Sequence, residues 1–331
     1  MARMLFGFLM MATLIVPTAA SAAKTTMRMA FNGALSETEI LVPYVGGVQL
    51  FAKIIAEKSN GDLELKIFPS NQLGTQREVT EGTMMGTIDM TMTTFSVLGN
   101  FVPQIAVFDL PFIFRSAQHS YRVMDTIALE MSPDLEKRGI KLLCVMDNGA
   151  RLMTNSKRPI RKPEDMKGLK MRVMQQPVYI DMMKLLGASP TPMDMTEVYT
   201  SLEKGVIDGQ ENPIAQIDAF KLMEVQKYIS YTEHSWNVAP MVISMKTWNK
   251  LTPEQQKIMQ ETALEILEEQ RKMVDVVAVK NLERINALNA EINRDVDKQA
   301  FMEATRGAWQ NFSKKVSNGQ ELIDRVVATK E

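Results

Sequence analysis

The chain has 331 residues, 45% hydrophobic and 23% charged, with 38 Lys and Arg against 39 Asp and Glu for a formal net charge of -1. That length suggests two domains, each able to bury a core of its own. The balanced charge leaves no basic surplus for nucleic acid or an anionic membrane surface, and a single cysteine, Cys144, excludes an intrachain disulfide.

The first residues, "MARMLFGFLMMATLIVPTAASAAKTT", begin with Arg3, run apolar from Met4 to Val16 and reach the A-x-A pattern Ala20-Ser21-Ala22. This is the design of a secretory signal peptide (residues 1–22) cleaved after Ala22. The apolar run is short for a membrane span and ends at Pro17. No cysteine follows it, so the mature chain is expected to be exported without a lipid anchor.

After the leader, "TMRMAFN" reads as a strand and "VQLFAKIIAEKSNG" as a helix stopped by Gly61. "LELKIFP" alternates as a strand does, "TQREVTEGTMMG" returns to helical spacing, and "IDMTMTTFSV" is strand-like again. "SAQHSYRVMDTIALEMSPDLEKRG" is helical with an interruption near Pro133, and "IKLLCVM" is an apolar strand in which Cys144 reads as an inert core thiol. A second unit starts near Gly149, with "GARLMTNSKRPI", "LKMRVM", the helices "PVYIDMMKLLG" and "TEVYTSLEKG", then "VIDGQENP". "APMVISMKTWNKL" resembles the first unit's core in composition. The chain therefore reads as α/β, two domains with hinge crossovers and a largely parallel sheet in each. Domain I is expected over 23–148, with 238–275 returning to it, and domain II over 149–237, with 276–331 returning.

Thr252-Pro253-Glu254-Gln255 combines a capping threonine, proline at the first helical position and glutamine at the reciprocal position. No glycine or proline occurs from Glu254 to Arg306. Apolar residues from Ile258 to Leu288 keep helical spacing but drift off heptads, so a helix of roughly 50 Å that braces both domains is expected rather than a coiled coil. The 27 methionines are scattered and read as adaptable core filler rather than a thioether metal array.

No phosphate-binding glycine loop, HExxH, CxxC or G-x-S-x-G motif occurs, and His119 and His234 lie far apart. No cofactor, metal or catalytic residue is expected. What remains is a set of polar residues in strand contexts: Arg151 after "DNGA", Arg172 in "LKMRVM" and Asn212 in "VIDGQENP". Two arginines and an amide can hold one carboxylate, one arginine by a bidentate fork. The pattern equally allows an internal ion pair, such as Arg172 with Asp208 or Glu211, because a guanidinium in an apolar strand must find a partner somewhere.

The stretches "DMKGLKMRVMQQ", "LLGASPTPMDMTEVYTSLEKGVIDGQENPI", "FKLMEVQKYISYTEH", "FPSNQLGTQREV" and "FDLPFIF" resemble, in order and over essentially the whole mature chain, the DctP-type solute-binding proteins of TRAP transporters. The resemblance implies a periplasmic-binding-protein-like fold, two α/β domains with hinge crossovers braced by a long helix. They would close in the periplasm over an organic anion and deliver it to a sodium-driven permease of small and large membrane subunits. It places the family's carboxylate-binding arginine on Arg172, the second cleft arginine on Arg151 and the cleft asparagine on Asn212.

Matched to sialic-acid-binding members, Thr94 stands where they carry an acidic residue and Val97 where they carry an arginine. With Phe95, Met174, Met195 and Trp236 crowding the pocket, a smaller solute is expected: a hydroxylated mono- or dicarboxylate, or alternatively a small organosulfonate. Gln175, Asp194 and His234 are candidate hydroxyl or water contacts. A monomer is expected, since no exposed apolar helix calls for a partner. A ligand-sensing protein for a sensor kinase is the alternative role.

Overall fold

The computed structural model describes residues 24–36 and 38–331, and the segment read as a signal peptide lies outside the described residues. Ten strands form the framework: β1 (Thr25–Ala30), β2 (Leu63–Phe68), β3 (Met90–Met92), β4 (Ile140–Asn155), β5 (Lys170–Val173), β6 (Ser189–Pro192), β7 (Gly209–Pro213), β8 (Tyr228–Ser230), β9 (Trp236–Ser244) and β10 (Glu291–Asn293). They run in the order β2-β1-β3-β9-β4-β7-β5-β6, with β8 on the far half of β4 and β10 beside β8.

The outer pairs β1–β2, β1–β3, β5–β6, β5–β7 and β8–β10 are parallel, as βαβ connections require. The centre is not. β9 pairs antiparallel with β3 and β4, and β4 pairs antiparallel with β7 and β8. The expectation of largely parallel sheets therefore fails at the crossing. β4 carries the chain from the first unit to the second and β9 carries it back, so the two must run in opposite directions. Their ladder has an irregularity between Asp147 and Ala150, where Gly149 takes φ +89°, a left-handed conformation that suits glycine.

Helices cover both faces of each unit. In the first, Met27, Met29, Val48, Phe51, Met90, Cys144 and Met241 form one core, closed by Met259 and Ile266. On its other face Phe95, Phe108, Ile140 and Val242 pack with Leu322, Ile323 and Val326. The last three belong to helix Gly319–Ala328, so the C-terminal helix seals the first unit although it follows an element packed on the second. Tyr179, Met182, Met171 and Phe301 form a core of the second unit, and Leu152, Val198, Ile217 and Ile285 form another. The methionines are thus prominent core residues, and burial pushes the Cys144 thiol pKa well above its ordinary value.

The capping box at Thr252 is formed, with Gln255 N–H donating to Thr252 Oγ1 at 3.2 Å and Thr252 N–H to Gln255 Oε1 at 3.0 Å. The helix it starts runs over Pro253–Glu265 and on over Leu267–Ala287, with one irregular turn at Ile266 (φ -72°, ψ -13°), which stays in the right-handed helical region, donates to the Thr262 carbonyl at 3.1 Å and accepts from Gln270 N–H at 2.9 Å. The second segment packs on helix Pro43–Lys58, on β4 and on helix Ile214–Ala219, and so touches both units.

One strand is shorter than its pattern. "IDMTMTTFSV" gives only Met90–Met92, because Thr94 caps the short helix Phe95–Leu98, its hydroxyl accepting from Val97 N–H.

Candidate functional site

β5 lies between β6 and β7 with Met171, Arg172 and Val173 all buried. Arg172 is 3% exposed. Its Nε and Nη2 donate to the Met193 carbonyl at 3.1 and 2.9 Å, Nη1 makes no hydrogen bond, and no described carboxylate comes within ion-pair distance. Burial pulls its pKa down to about 10; Glu211 opposes the shift and Arg151 adds to it. A buried guanidinium held only by a carbonyl is a poised anion site.

Arg151 lies mid-strand in β4, opposite Pro213 of β7. The antiparallel register brings Glu211 to its guanidinium. Nε pairs with Glu211 Oε2, and Nη2 donates to Glu211 Oε1 at 2.9 Å, to the Glu211 carbonyl at 2.6 Å and to Asn212 Oδ1 at 3.1 Å. His234 Nε2 lies 3.3 Å from Glu211 Oε2 and its Nδ1 is 2.8 Å from the Thr232 hydroxyl. Burial works against the Glu211 charge, but Arg151 and His234 outweigh it and hold the carboxyl down at about 2. The internal pair that the sequence allowed for Arg172 therefore belongs to Arg151. Asp208 serves elsewhere, accepting from Lys170 N–H at 2.9 Å and facing Lys157 at 3.5 Å. Of the two arginines, Glu211 pairs with Arg151 alone, so Arg172 adds to the floor a positive charge that no described ion pair offsets, with Asp194 the further carboxylate whose field reaches it.

Asp109 lies behind this floor, 6% exposed. Ser96 donates to its Oδ1 at 3.0 Å, while Oδ2 has no partner. Burial pushes its pKa up to about 7, against Ser96 and Arg151. The folded protein thus keeps a proton that the unfolded chain releases near pH 4, and stability contributed by this group falls as pH rises from about 4 to 7. Asp109→Asn, which cannot ionise, should gain in melting temperature over the wild type progressively across that window. Parallel melting curves from pH 4 to 8 would show that Asp109 is already ionised in the fold.

The floor faces a cavity of about 70 Å³ between the units, bordered on the first unit by Gln76, Arg77, Thr94, Val97 and Asn100. Helix Gln76–Met85 presents its first residues because Thr75 caps it, accepting from Glu78 N–H at 3.3 Å. Across the mouth, Asn100 Nδ2 donates to the Gln175 carbonyl at 3.2 Å, so the units touch over the cavity.

Arg172, Arg151, Asn212, Thr94, Gln175, Asp194 and Met195 all border this cavity, with Met174. Asn212 is partly engaged, its Nδ2 donating to Gln210 Oε1 at 2.6 Å, which leaves a second N–H near the Met195 sulfur at 3.6 Å. Three candidates do not border the cavity. Phe95 turns into the core and stacks on Phe108 with centroids 4.7 Å apart, since its position just after the Thr94 cap points it inward. Trp236 donates from Nε1 to Asp147 Oδ1 at 2.8 Å and borders grooves along helix Leu267–Ala287 instead. His234 is sealed behind Glu211. The expected crowding by Phe95 and Trp236 is therefore corrected: Met174 and Met195, with Met92, Val97 and Phe101, supply the apolar wall.

Asn32, Tyr44, Gln216 and Asn237 border the cavity without having been singled out in the sequence. For Gln216 a signal existed, a polar residue four positions after Asn212 in the otherwise apolar start "PIAQI".

Two α/β units joined by crossing strands, meeting over a cleft with surplus positive charge, define an anion-capturing binding protein. The model of the bacterial extracellular solute-binding proteins of family 7, DctP, matches residues 36–315, and the chain belongs to this family. The 2,3-diketo-L-gulonate-binding periplasmic protein YiaO of Escherichia coli is 35% identical over 83% of this chain and 85% of its own length.

Among solved structures, a TRAP periplasmic solute-binding protein from Polaromonas sp. JS666 bound to D-erythronate superposes with a TM-score of 0.88 and 33% identity, over 93% of this chain and 100% of that one. Another, from Sulfitobacter sp. NAS-14.1 with bound β-D-galacturonate, reaches 0.87 and 31%, over 92% and 100%. The family consists of solute-binding proteins rather than enzymes and serves membrane permeases with small organic anions. Among the described residues, no helix is long and apolar enough to cross a membrane.

Proposed function

We propose that the chain is exported, loses residues 1–22, and in the periplasm captures a small hydroxylated carboxylate for a TRAP permease with small and large membrane subunits. The observation that carries this reading is Arg172, a buried guanidinium on the cavity wall whose only acceptor among the described residues is the Met193 carbonyl. A solute carboxylate completes its coordination by a bidentate fork. Arg151, fixed by Glu211, adds its field and its unbonded Nη1, and the second Asn212 N–H adds a donor. The polar wall of Gln76, Asn100 and Thr94 suits hydroxyl groups. D-erythronate and β-D-galacturonate, bound by the two structural neighbours, are acids of this chemistry.

The sequence of events follows from electrostatics. The anion meets Arg172 on the second unit. The first unit then closes through contacts such as Asn100 to Gln175, and exclusion of water strengthens each charge-assisted hydrogen bond. The closed, liganded form is the state offered to the permease.

The test is a thermal-shift screen of the mature protein against aldonates, uronates, dicarboxylates and sulfonates. A saturating ligand at one hundred times its dissociation constant adds about 2.7 kcal/mol to stability, so hydroxy acids should raise the melting temperature clearly. A response confined to sulfonates would move the solute class. No response from any anion, with protein shown free of carried-over ligand, would overturn the capture reading.

A further inference from the structure

We propose that Gln216 is a specificity-determining residue of the cleft: its side-chain carbonyl accepts a hydrogen bond from a hydroxyl of the solute, so the cleft prefers hydroxy acids to their deoxy counterparts. This rests on the carboxylate-capture reading above and adds a second anchor to it.

Gln216 lies in helix Ile214–Ala219, which follows directly on Asn212 and Pro213 of β7. It borders the cavity and is 6% exposed. Several buried side-chain polar atoms of the described residues have no hydrogen-bond partner. Among them, Gln216 Oε1 alone belongs to a residue bordering the cavity.

A relay of side chains sets which end of the amide is free. The Tyr44 hydroxyl donates its proton to Asn32 Oδ1 at 2.7 Å. The Tyr44 oxygen is then left to accept, and Gln216 stands close enough to lower the Tyr44 pKa as a donor does, although the two do not form a hydrogen bond of ordinary geometry. With Nε2 on the Tyr44 side, Oε1 is the buried acceptor that no donor reaches. Tyr44 is itself held in place. The Phe31 ring meets it edge-on with centroids 5.9 Å apart, and a Cβ on Gly33 would fall 2.4 Å from its hydroxyl oxygen, so glycine is required there.

A buried carbonyl without a donor is a costly arrangement that native proteins keep when a ligand or water completes it. A carboxylate cannot complete this one, because it brings only acceptors. A hydroxyl can. The cleft then reads a solute twice: acceptors of the anionic head at Arg172, and a donor elsewhere on the molecule at Gln216. Sites built to hydrogen-bond a hydroxyl reject analogues lacking it far more strongly than apolar pockets reject an extra methylene.

The experiment measures dissociation constants of wild type and Gln216→Met for D-erythronate and D-galacturonate, each beside its singly deoxygenated forms. Methionine keeps the length of the side chain and removes the acceptor. For one of the deoxy forms the wild type should bind about tenfold or more weakly than the parent acid, and in Gln216→Met that ratio should shrink to about twofold. The unliganded variant should melt no lower than the wild type, since it loses an unpartnered polar atom; Gln216→Leu serves as a second replacement if it does. Equal discrimination in wild type and variant overturns the proposal, as does a wild type indifferent to every deoxygenation. Failure of the wild type to bind any acid would instead sink the capture reading, and this one with it.

Discussion

Arg172→Ala should abolish solute binding while the unliganded protein keeps its fold and its melting temperature. The residue is buried without a counter-ion, so its removal relieves a desolvation cost and breaks only the bonds to the Met193 carbonyl. For the anion, the loss is of the fork itself, and a hydrogen-bonded charge partner within a closed cleft is typically worth 2–5 kcal/mol or more, roughly thirty-fold to several thousand-fold in affinity. Arg172→Lys should also bind poorly, because an ammonium is a point charge and cannot reproduce the planar fork. The measurement is ligand-induced thermal shift and calorimetric titration with the best acid of the screen. Should Arg172→Ala melt far lower than the wild type with no solute present, the residue is structural and the site lies elsewhere.

Glu211→Gln should do the opposite, harming the fold before any ligand is added. Glu211 is fully buried and is the counter-ion of Arg151. Removing its charge leaves Arg151 buried beside Tyr179 and the second guanidinium, with Asp109, whose own charge burial opposes, as the remaining carboxyl that acts on it. Breaking one side of a buried pair costs about 3–5 kcal/mol, which should lower the melting temperature by several degrees. A bound anion should recover part of this loss, so ligand should raise the melting temperature of Glu211→Gln more than that of the wild type.

The same residue sets an acid dependence. Its carboxyl is held at about 2 in the fold, below its ordinary range near 4.3. It therefore contributes stability above pH 4.3, of the order of 3 kcal/mol, which is lost as pH falls through 2. Glu211→Gln lacks that part of the acid slope. Identical acid slopes for variant and wild type would mean that the pair contributes nothing net.

Much of this fold was legible from local pattern. The strands "TMRMAFN" and "LELKIFP", the helix ending before Gly61 and the capping box at Thr252 all follow from side-chain period and end chemistry, which act over a few residues. The antiparallel centre of the sheet was not legible in that way, because strand direction depends on where the chain crosses between the units. Nor was the irregular turn at Ile266, in a run with no residue that disrupts a helix.

The site divides along the same line. Arg172 stood out because an arginine in the apolar strand "LKMRVM" is an electrostatic problem in sequence alone. Its neighbour Arg151 seemed equivalent and is not: the β4–β7 register delivers Glu211 to one guanidinium and none to the other. Phe95 and Trp236 were expected in the pocket from the match to sialic-acid-binding members, yet side-chain direction sends one to Phe108 and the other to Asp147.

The sequence by itself determined the alternation of helix and strand, the family resemblance, and the presence in an apolar strand of a cation that must find a partner somewhere. The tertiary structure alone decided which of the two arginines keeps a counter-ion, which polar side chains face the cavity and which acceptor, Gln216 Oε1, is left without a donor. Backbone period and capping are local interactions and can be read along the chain. Charge pairing and orphaned hydrogen bonds arise between residues 60 positions apart, as Arg151 and Glu211 are, and exist only once the strands have been brought side by side.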